Sequence, residues 1–222
     1  MKVVAARRSW LRAATAAAAV LPGWALWMPP ASAGQREDFF KAIELDRPQL
    51  MRPLLEGGVD PNTADDRGNS GLLVSLREGS FEVAGLLLAA KGIEIDRPNA
   101  AGETPLMIAA LRGHLAWVVR LIERGAAVQR AGWTPLHYAA SGPNPEVVAL
   151  LLERGASLEA ASPNGTTPLM MAAGYGAIDG ADLLFKRGAD PNRRNERGLN
   201  AVDFARRAGR DALAQRLSAP VR

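Results

Sequence analysis

The sequence predicts an all-α solenoid of stacked helix-turn-helix units with short hairpin-like loops, and three observations carry this prediction. A phrase of seven residues recurs along the chain, at 104–110, 134–140 and 167–173. The second and third copies lie 33 residues apart. A fixed period of this size is typical of helical repeat architectures. Each copy is also followed by an apolar segment that closes with glycine.

Each recurring phrase is expected to open a helix. Its Thr hydroxyl can accept a hydrogen bond from a free N–H of the first turn, and Pro suits the first helical position because its missing N–H has no partner there. The Leu and the Ala pair that follow are expected to face a neighbouring helix, since Ala lets two helices approach closely. Glycine then ends this first helix, at Gly79, Gly113 and Gly176.

A second helix is expected after each first helix. In the clearest unit it covers 147–154 and closes with Gly155, because glycine accepts the left-handed conformation favoured just past a helix end. One helix pair cannot bury its own apolar face, so the units are expected to stack into one elongated domain. The last unit should be polar on its outside, which fits Arg206, Arg207, Arg210 and Arg216.

These patterns resemble the ankyrin repeat family. The unit around Thr134 carries almost the complete family pattern, with Thr-Pro-Leu-His-Tyr-Ala-Ala followed by Val-Val-Ala-Leu-Leu-Leu-Glu-Arg-Gly-Ala at 147–156. The step from Thr104 to Thr134 is only 30 residues, so the loop between those two units is three residues short. The resemblance implies an ankyrin-repeat solenoid over 35–218 with about six repeats. Their expected ranges are 35–64, 65–98, 99–130, 131–161, 162–194 and 195–218.

Residues 1–33 have the pattern of a secretory signal peptide. Basic residues precede an apolar, alanine-rich run, and Ala-Ser-Ala at 31–33 provides a small-residue cleavage site near Ala33. A membrane anchor is the alternative. The apolar run is about 15 residues, however, whereas a spanning helix needs roughly 20. No stable membrane insertion is therefore expected after cleavage.

The run 6–12 also resembles a twin-arginine export signal, in which two Arg precede a variable residue, an aromatic residue, Leu and a basic residue. Arg7 and Arg8 supply the pair, and Trp10 and Arg12 hold the aromatic and basic positions. Export by the general secretory route is the alternative. Either route predicts a bacterial, periplasmic protein.

The signal segment also accounts for the charge of the chain. The sequence has 27 Lys and Arg against 23 Asp and Glu, and residues 1–33 hold four of the basic residues and none of the acidic ones. The remaining chain therefore has 23 residues of each sign and a net charge of zero. A pI near 9.9 would favour nucleic acid as a partner. Because the excess charge leaves with the signal, no nucleic acid is expected to bind.

Residue types that carry chemistry are scarce. The chain has no cysteine, which excludes disulfides, thiol catalysis and thiolate metal sites. Its two histidines are His114 and His137. The family resemblance implies a structural role for both, in which the imidazole of His137 binds the backbone of adjoining loops. The alternative is an accessory or metal-dependent enzyme that uses His114 or His137. No phosphate loop or nucleophile elbow occurs, so we predict no enzyme and no cofactor.

The resemblance places binding residues on the loop tips and on the exposed side of the first helices, which together form the concave face in this family. Large aromatic residues and Arg are enriched in contact hot spots. For Trp133 a second interpretation stays open, in which the indole folds over the shortened loop and shields local core. Trp117 lies at an apolar position of a second helix and is expected to pack. The predicted partner-binding residues are Arg77, Glu103, Arg112, Trp133 and Tyr175.

The sequence therefore predicts a non-catalytic, periplasmic, monomeric interaction module. Its expected ligand is a protein held on the concave face, such as an exported enzyme or a toxin. This prediction rests on a repeat array without a catalytic constellation.

Overall fold

The computed structural model describes residues 33–219, so the predicted signal peptide and its twin-arginine motif lie outside the described residues. Within this range the chain forms twelve helices in six consecutive pairs, which confirms the predicted all-α repeat solenoid. Each of the six expected sequence ranges contains one pair, although the first helix begins two residues early. The helices are α1 (Ala33–Glu44), α2 (Pro48–Glu56), α3 (Gly71–Glu78), α4 (Phe81–Ala89), α5 (Pro105–Arg112), α6 (Leu115–Glu123), α7 (Pro135–Ser141), α8 (Pro145–Glu153), α9 (Pro168–Gly174), α10 (Ile178–Lys186), α11 (Ala201–Arg207) and α12 (Asp211–Ser218).

The repeats stack through helices of the same kind. Each first helix contacts the first helix of the next repeat, from α1 and α3 through to α9 and α11, and second helices such as α6 and α8 also meet. The hydrophobic core runs continuously along these stacked first helices, because their recurring leucine is fully buried in successive repeats. These leucines are Leu72, Leu106, Leu136 and Leu169.

The first helices begin where the recurring phrase predicts. The Thr104 hydroxyl accepts from the Met107 N–H at 3.4 Å, and the Thr167 hydroxyl accepts from the Met170 N–H at 3.3 Å. These side chains satisfy donors that the start of a helix leaves free. Thr134 differs, because its hydroxyl lies 2.9 Å from His137 Nδ1.

The loops between repeats are hairpin-like turns. In four of them a backbone N–H donates to the carbonyl four residues ahead, and the residue before that carbonyl is a glycine with positive φ, such as Gly165 at 74°. The shortened loop before α7 differs. There Gln129 replaces the usual first residue of the turn, and its side-chain amide donates to Gly155 O at 2.8 Å. The donor and acceptor pairs of the four turns are Asp65 and Asn69, Asn99 and Glu103, Ser162 and Thr166, and Asn195 and Leu199.

From the second repeat onward, the turn between the two helices of a repeat closes onto the end of the first helix of the preceding repeat. Ser80 Oγ donates to Ile43 O at 2.6 Å, and Asn144 Nδ2 donates to Gly113 O at 3.2 Å. These contacts satisfy carbonyl groups that a helix end leaves without intrahelical partners. Each turn therefore fixes its repeat to the one before it.

Arg210 makes the corresponding contact in the last repeat. Its Nη1 donates to the carbonyls of Ala172, Ala173 and Gly176 at 3.0, 3.2 and 2.9 Å. A cation is favoured at this end of α9 because the helix dipole is negative there. The structure thus differs from the sequence expectation for Arg210, which is half-buried and faces α9 instead of forming part of a polar outer cap.

Repeat five makes this contact with backbone alone. Ala177 N–H donates to Gly142 O at 3.2 Å. The approach is so close that a Cβ on Gly176 would lie 1.8 Å from Ala140 O. Gly176 therefore permits close contact between repeats, whereas Gly79 and Gly113 take left-handed conformations with φ of 82° and 75°.

Replacing Gly176 with Ala should destabilise the stack, because the added methyl group would force two repeats apart. We expect the free energy of unfolding to fall by about 3 kcal/mol, or roughly 6–12 °C in Tm, as measured by thermal unfolding. Gly85→Ala is the matched control. In that variant the new Cβ inside α4 would have its nearest neighbour, Arg120 Nη2, at 3.7 Å.

The control should stabilise the protein by about 1 kcal/mol through helix propensity alone. An unchanged or raised Tm for Gly176→Ala would contradict the close approach between repeats four and five.

Candidate functional site

His137 holds together the loops that form the candidate site. It is fully buried in the first turn of α7. Its Nδ1 accepts from the Thr134 N–H at 3.2 Å, and its Nε2 donates to Thr166 O in the next loop at 2.9 Å. This network assigns the neutral tautomer with the proton on Nε2. Burial lowers the pKa of His137, although backbone hydrogen bonds at Thr166 and Ala160 act in the opposite direction.

Trp133 lies between this buried centre and an open concavity. Its ring meets the ring of His137 edge-on, with 5.2 Å between centroids, and the side chain is half-buried. The indole also lines a cavity of about 450 Å³. Trp133 therefore packs on a buried residue and also borders accessible space.

The cavity beside Trp133 is bounded by three aromatic side chains, and we call it the aromatic groove. Its other walls are Tyr175 and Phe204, whose rings meet edge-on at 6.3 Å. Tyr175 is 65% exposed. Gly174 lets the Phe204 ring pack close to α9, because a Cβ there would lie 3.0 Å from that ring. Three successive repeats thus contribute one aromatic residue each.

The rim of the aromatic groove is basic. Arg197 and Arg207 are exposed and line the same cavity. Arg197 comes from the loop before α11, and Arg207 comes from the last turn of that helix. The groove therefore combines apolar walls with a positively charged edge.

A second concavity, of about 550 Å³, lies over repeats two and three and contains a polar network. Arg77 Nη2 and Asn99 Nδ2 donate to Asn69 Oδ1 at 3.0 and 2.8 Å. Asn99 Nδ2 also donates to Glu103 Oε2 at 2.8 Å, and the Tyr138 hydroxyl donates to Glu103 Oε1 at 3.2 Å. Burial, together with the Glu103 carboxylate, raises the pKa of Tyr138 to about 12. The network therefore joins three repeats through neutral and charged groups.

The five predicted binding residues line these two concavities. Trp133 and Tyr175 line the aromatic groove. Arg77, Glu103 and Arg112 line the second concavity.

Sequence reasoning missed Arg197 and Phe204, which line the aromatic groove, and Tyr138, whose hydroxyl donates to Glu103 of the second concavity. The sequence does carry a signal for Tyr138 and Phe204, because both occupy the same position of the repeat. This position lies four residues after the residue that caps the first helix. It holds an apolar or aromatic side chain, yet in most repeats that side chain is only half-buried. These residues are Val74, Ile108, Tyr138, Met171 and Phe204.

Neither histidine lines the two concavities. His114 lies in the turn before α6, where its ring meets the Phe81 ring at 4.9 Å. Burial, followed by the charge of Arg112, lowers the pKa of His114, while a hydrogen bond with the Leu76 backbone opposes this shift. Within residues 33–219, no three His, Asp or Glu side chains are grouped so that they could hold a metal ion.

Trp117 lies on the second helix α6 and packs against neighbouring side chains, as expected. It is 5% exposed and stacks on Phe81 with 5.7 Å between ring centroids. The Arg120 guanidinium lies 4.2 Å from its ring centroid. None of the helices between residues 33 and 219 has the length and apolar character needed to cross a membrane.

Comparison with known proteins agrees with this architecture. The family model for ankyrin repeats in three copies matches residues 39–131 and 121–195. This chain belongs to the ankyrin repeat family. Ankyrin repeats generally mediate protein–protein interaction, so the concavities of the loops and first helices are its candidate binding surface.

The relatives of this ankyrin repeat protein share only part of their length with it. The chain is 34% identical to the nuclear factor NF-kappa-B p105 subunit of Mus musculus over 162 residues, which are 69% of this chain and 17% of the relative. It is 31% identical to the NF-kappa-B inhibitor alpha of Sus scrofa over 99 residues, which are 42% of this chain and 32% of the relative. It is 45% identical to the poly [ADP-ribose] polymerase tankyrase of Caenorhabditis elegans over 129 residues, which are 55% of this chain and 6% of the relative. The chain therefore spans less than a third of each of these relatives.

Stability should depend on pH through His137. Its pKa in the folded chain lies below the ordinary value of 6.5, so as pH falls below about 6.5 the unfolded chain gains a proton that the folded chain resists. The stabilisation is present above that pH and is lost on acidification. We expect the wild-type Tm to fall between about pH 7 and pH 5.

His137→Gln should have a lower Tm at neutral pH and a weaker pH dependence over the same interval. His114→Gln is the control and should remove a smaller part of the dependence, because His114 is only half-buried. A pH dependence in His137→Gln equal to that of the wild type would contradict the buried, neutral imidazole.

Proposed function

We propose that this protein is a non-catalytic interaction module of the bacterial periplasm and that it holds a protein partner on the face formed by its loops and first helices. The observation that carries this proposal is the exposure of Tyr175 beside Trp133 and Phe204 in one concavity. Aromatic side chains that are clustered, accessible and bordered by Arg have the composition of a contact hot spot.

The walls of the aromatic groove are held rigidly. Trp133 rests on the buried His137, whose hydrogen bond to Thr166 O joins repeats four and five. Arg210 in turn joins the last repeat to the end of α9, directly beside Tyr175. A partner would therefore meet a surface that is already ordered, and binding would cost little conformational entropy.

The same contacts favour binding over catalysis. Both ring nitrogens of His137 are engaged with neighbouring groups inside the protein. The groups that line the aromatic groove are aromatic, apolar, amide, hydroxyl and guanidinium side chains. Such groups recognise and orient a ligand, and the groove pairs no general base with a nucleophile.

The periplasmic location rests on the composition of residues 1–33 and makes an exported enzyme or a toxin a suitable partner. Fractionation of cells that express the chain tests this location. We expect a processed protein that begins near Gly34 in the periplasmic fraction. A full-length chain found only in the cytoplasm would contradict the proposed location.

Removal of Tyr175 should reduce partner binding without unfolding the protein. We expect Tyr175→Ala to weaken binding by about 2 kcal/mol, which is roughly 30-fold, because the phenol ring would be a central contact. The measurement compares recovery of the partner from periplasmic extract with the Tm of the same variant. Leu50→Ala is the matched control, since Leu50 is 45% exposed on α2, a second helix far along the chain from the groove.

Leu50→Ala should leave partner recovery unchanged. Undiminished recovery with Tyr175→Ala would contradict the proposed face. A loss of stability as large as that of the buried Leu136→Ala, roughly 2–5 kcal/mol, would also contradict it by making Tyr175 a core residue.

A further inference from the structure

We propose that the partner segment which occupies the aromatic groove is acidic and carries one large apolar side chain between its carboxylates. This inference rests on the proposed function and specifies the chemistry of its partner. The apolar side chain would enter the groove between Trp133, Tyr175 and Phe204, and flanking Asp or Glu side chains would pair with Arg197 and Arg207.

The two arginines on the rim have no charged partner among residues 33–219. Within the described residues, the guanidinium groups of Arg197 and Arg207 make no hydrogen bond and no ion pair. Their neighbour Arg194 does, because its Nη1 lies 3.6 Å from a carboxylate oxygen of Asp203. Two cations thus stand beside an apolar concavity with their donors free to pair with a ligand.

The second concavity repeats this imbalance of charge. Arg67 and Arg112 line it, and their guanidinium groups also lack partners among residues 33–219. Its one acidic residue is Glu103, whose carboxylate already accepts from Asn99 and Tyr138. The two concavities together hold five arginines and one glutamate.

The excess of positive charge on the two concavities contrasts with the equal numbers of basic and acidic residues in the chain after residue 33. Five of the 20 arginines after residue 33 line the two concavities, against one of the 23 acidic residues. Complementary charge sets specificity and steers association, so a surface of this kind selects an acidic segment.

The size and walls of the groove define the apolar part of the ligand. Its volume of about 450 Å³ is enough for a large side chain together with the backbone that carries it. Trp133 and Phe204 offer ring faces and edges to such a side chain, and Met171 adds an adaptable apolar surface. An acidic segment without an apolar residue would leave these walls uncovered.

A protein segment fits the groove better than a nucleic acid. Nucleic acid binding draws most of its strength from attraction between many phosphates and a net basic protein, and the chain after residue 33 is neutral. Glu196 also lies next to Arg197 in the same loop and would repel a continuous phosphate backbone. Separate carboxylates can be placed to avoid it.

Selection from a random library of short peptides on the full-length chain tests the inference directly. We expect the enriched peptides to carry Asp or Glu within a few residues of Leu, Ile, Phe or Trp. The best peptide is then compared, by fluorescence anisotropy, with a version in which Asn and Gln replace its acidic residues. The acidic form should bind at least about tenfold more tightly and should weaken as salt is added.

Variants of the rim identify the groups responsible. Arg197→Gln and Arg207→Gln should each weaken the acidic peptide about threefold, and the double variant about tenfold, with no effect on the amide version. Arg194→Gln is the matched control and should leave both peptides unaffected, since Arg194 already pairs with Asp203.

Several outcomes would overturn the inference. They are enrichment of basic or uncharged peptides, equal binding of the acidic and amide forms, full binding by the double variant, or an empty selection. Binding of oligothymidylate in place of peptides would identify a nucleic acid surface. If the periplasmic partner is still lost on Tyr175→Ala in any of these cases, the proposed function stands and the acidic specificity fails. If the wild-type chain recovers no partner, the proposed function itself fails.

Discussion

The close approach of neighbouring first helices is the constraint on which the rest of this structure depends. One helix pair leaves an apolar face uncovered, so each repeat is stable only against its neighbours. The paired alanines of successive first helices, such as Ala139 and Ala140, are almost fully buried and keep the helices near each other. At this distance the turn of one repeat reaches the free carbonyls of the repeat before it. Ser80, Asn144 and Arg210 do so with side chains, and the turn at Gly176 does so with backbone.

The candidate site is a product of the same stacking. Because successive repeats stack side by side, Trp133, Tyr175 and Phe204 line one cavity although they come from three different repeats. Gly174 lines the groove between them and adds no side chain at the position that Arg207 holds in the next repeat. The buried His137 stabilises one wall of the groove, because it joins two loops and packs against the Trp133 ring. Recognition therefore depends on what each repeat places next to its neighbour.

The fold was predictable because its signals are local. A recurring cap, proline and alanine pair mark each first helix, and the period of the repeat defines the stack. The site was less predictable, because its contacts join different repeats. In the sequence Arg210 is one of several arginines near the C-terminus, yet in the structure it donates hydrogen bonds to three carbonyls of α9 and the turn that follows it. Gly176 resembles a glycine that ends a helix, but its role is to permit close contact with the backbone of repeat four. Phe204 matches a variable position of the motif, and only its contact with Tyr175 places it in a groove.

Photocrosslinking in cells that express this protein tests the proposed binding face most directly. A benzophenone amino acid would replace Tyr175 in one variant and the exposed Leu50 of α2 in the other. Both side chains are accessible, so exposure alone would not produce a crosslink at one position and none at the other. We expect a single crosslinked partner with the variant at position 175 and none with the variant at position 50. Equal products at both positions, or a product at position 50 alone, would contradict recognition through the aromatic groove.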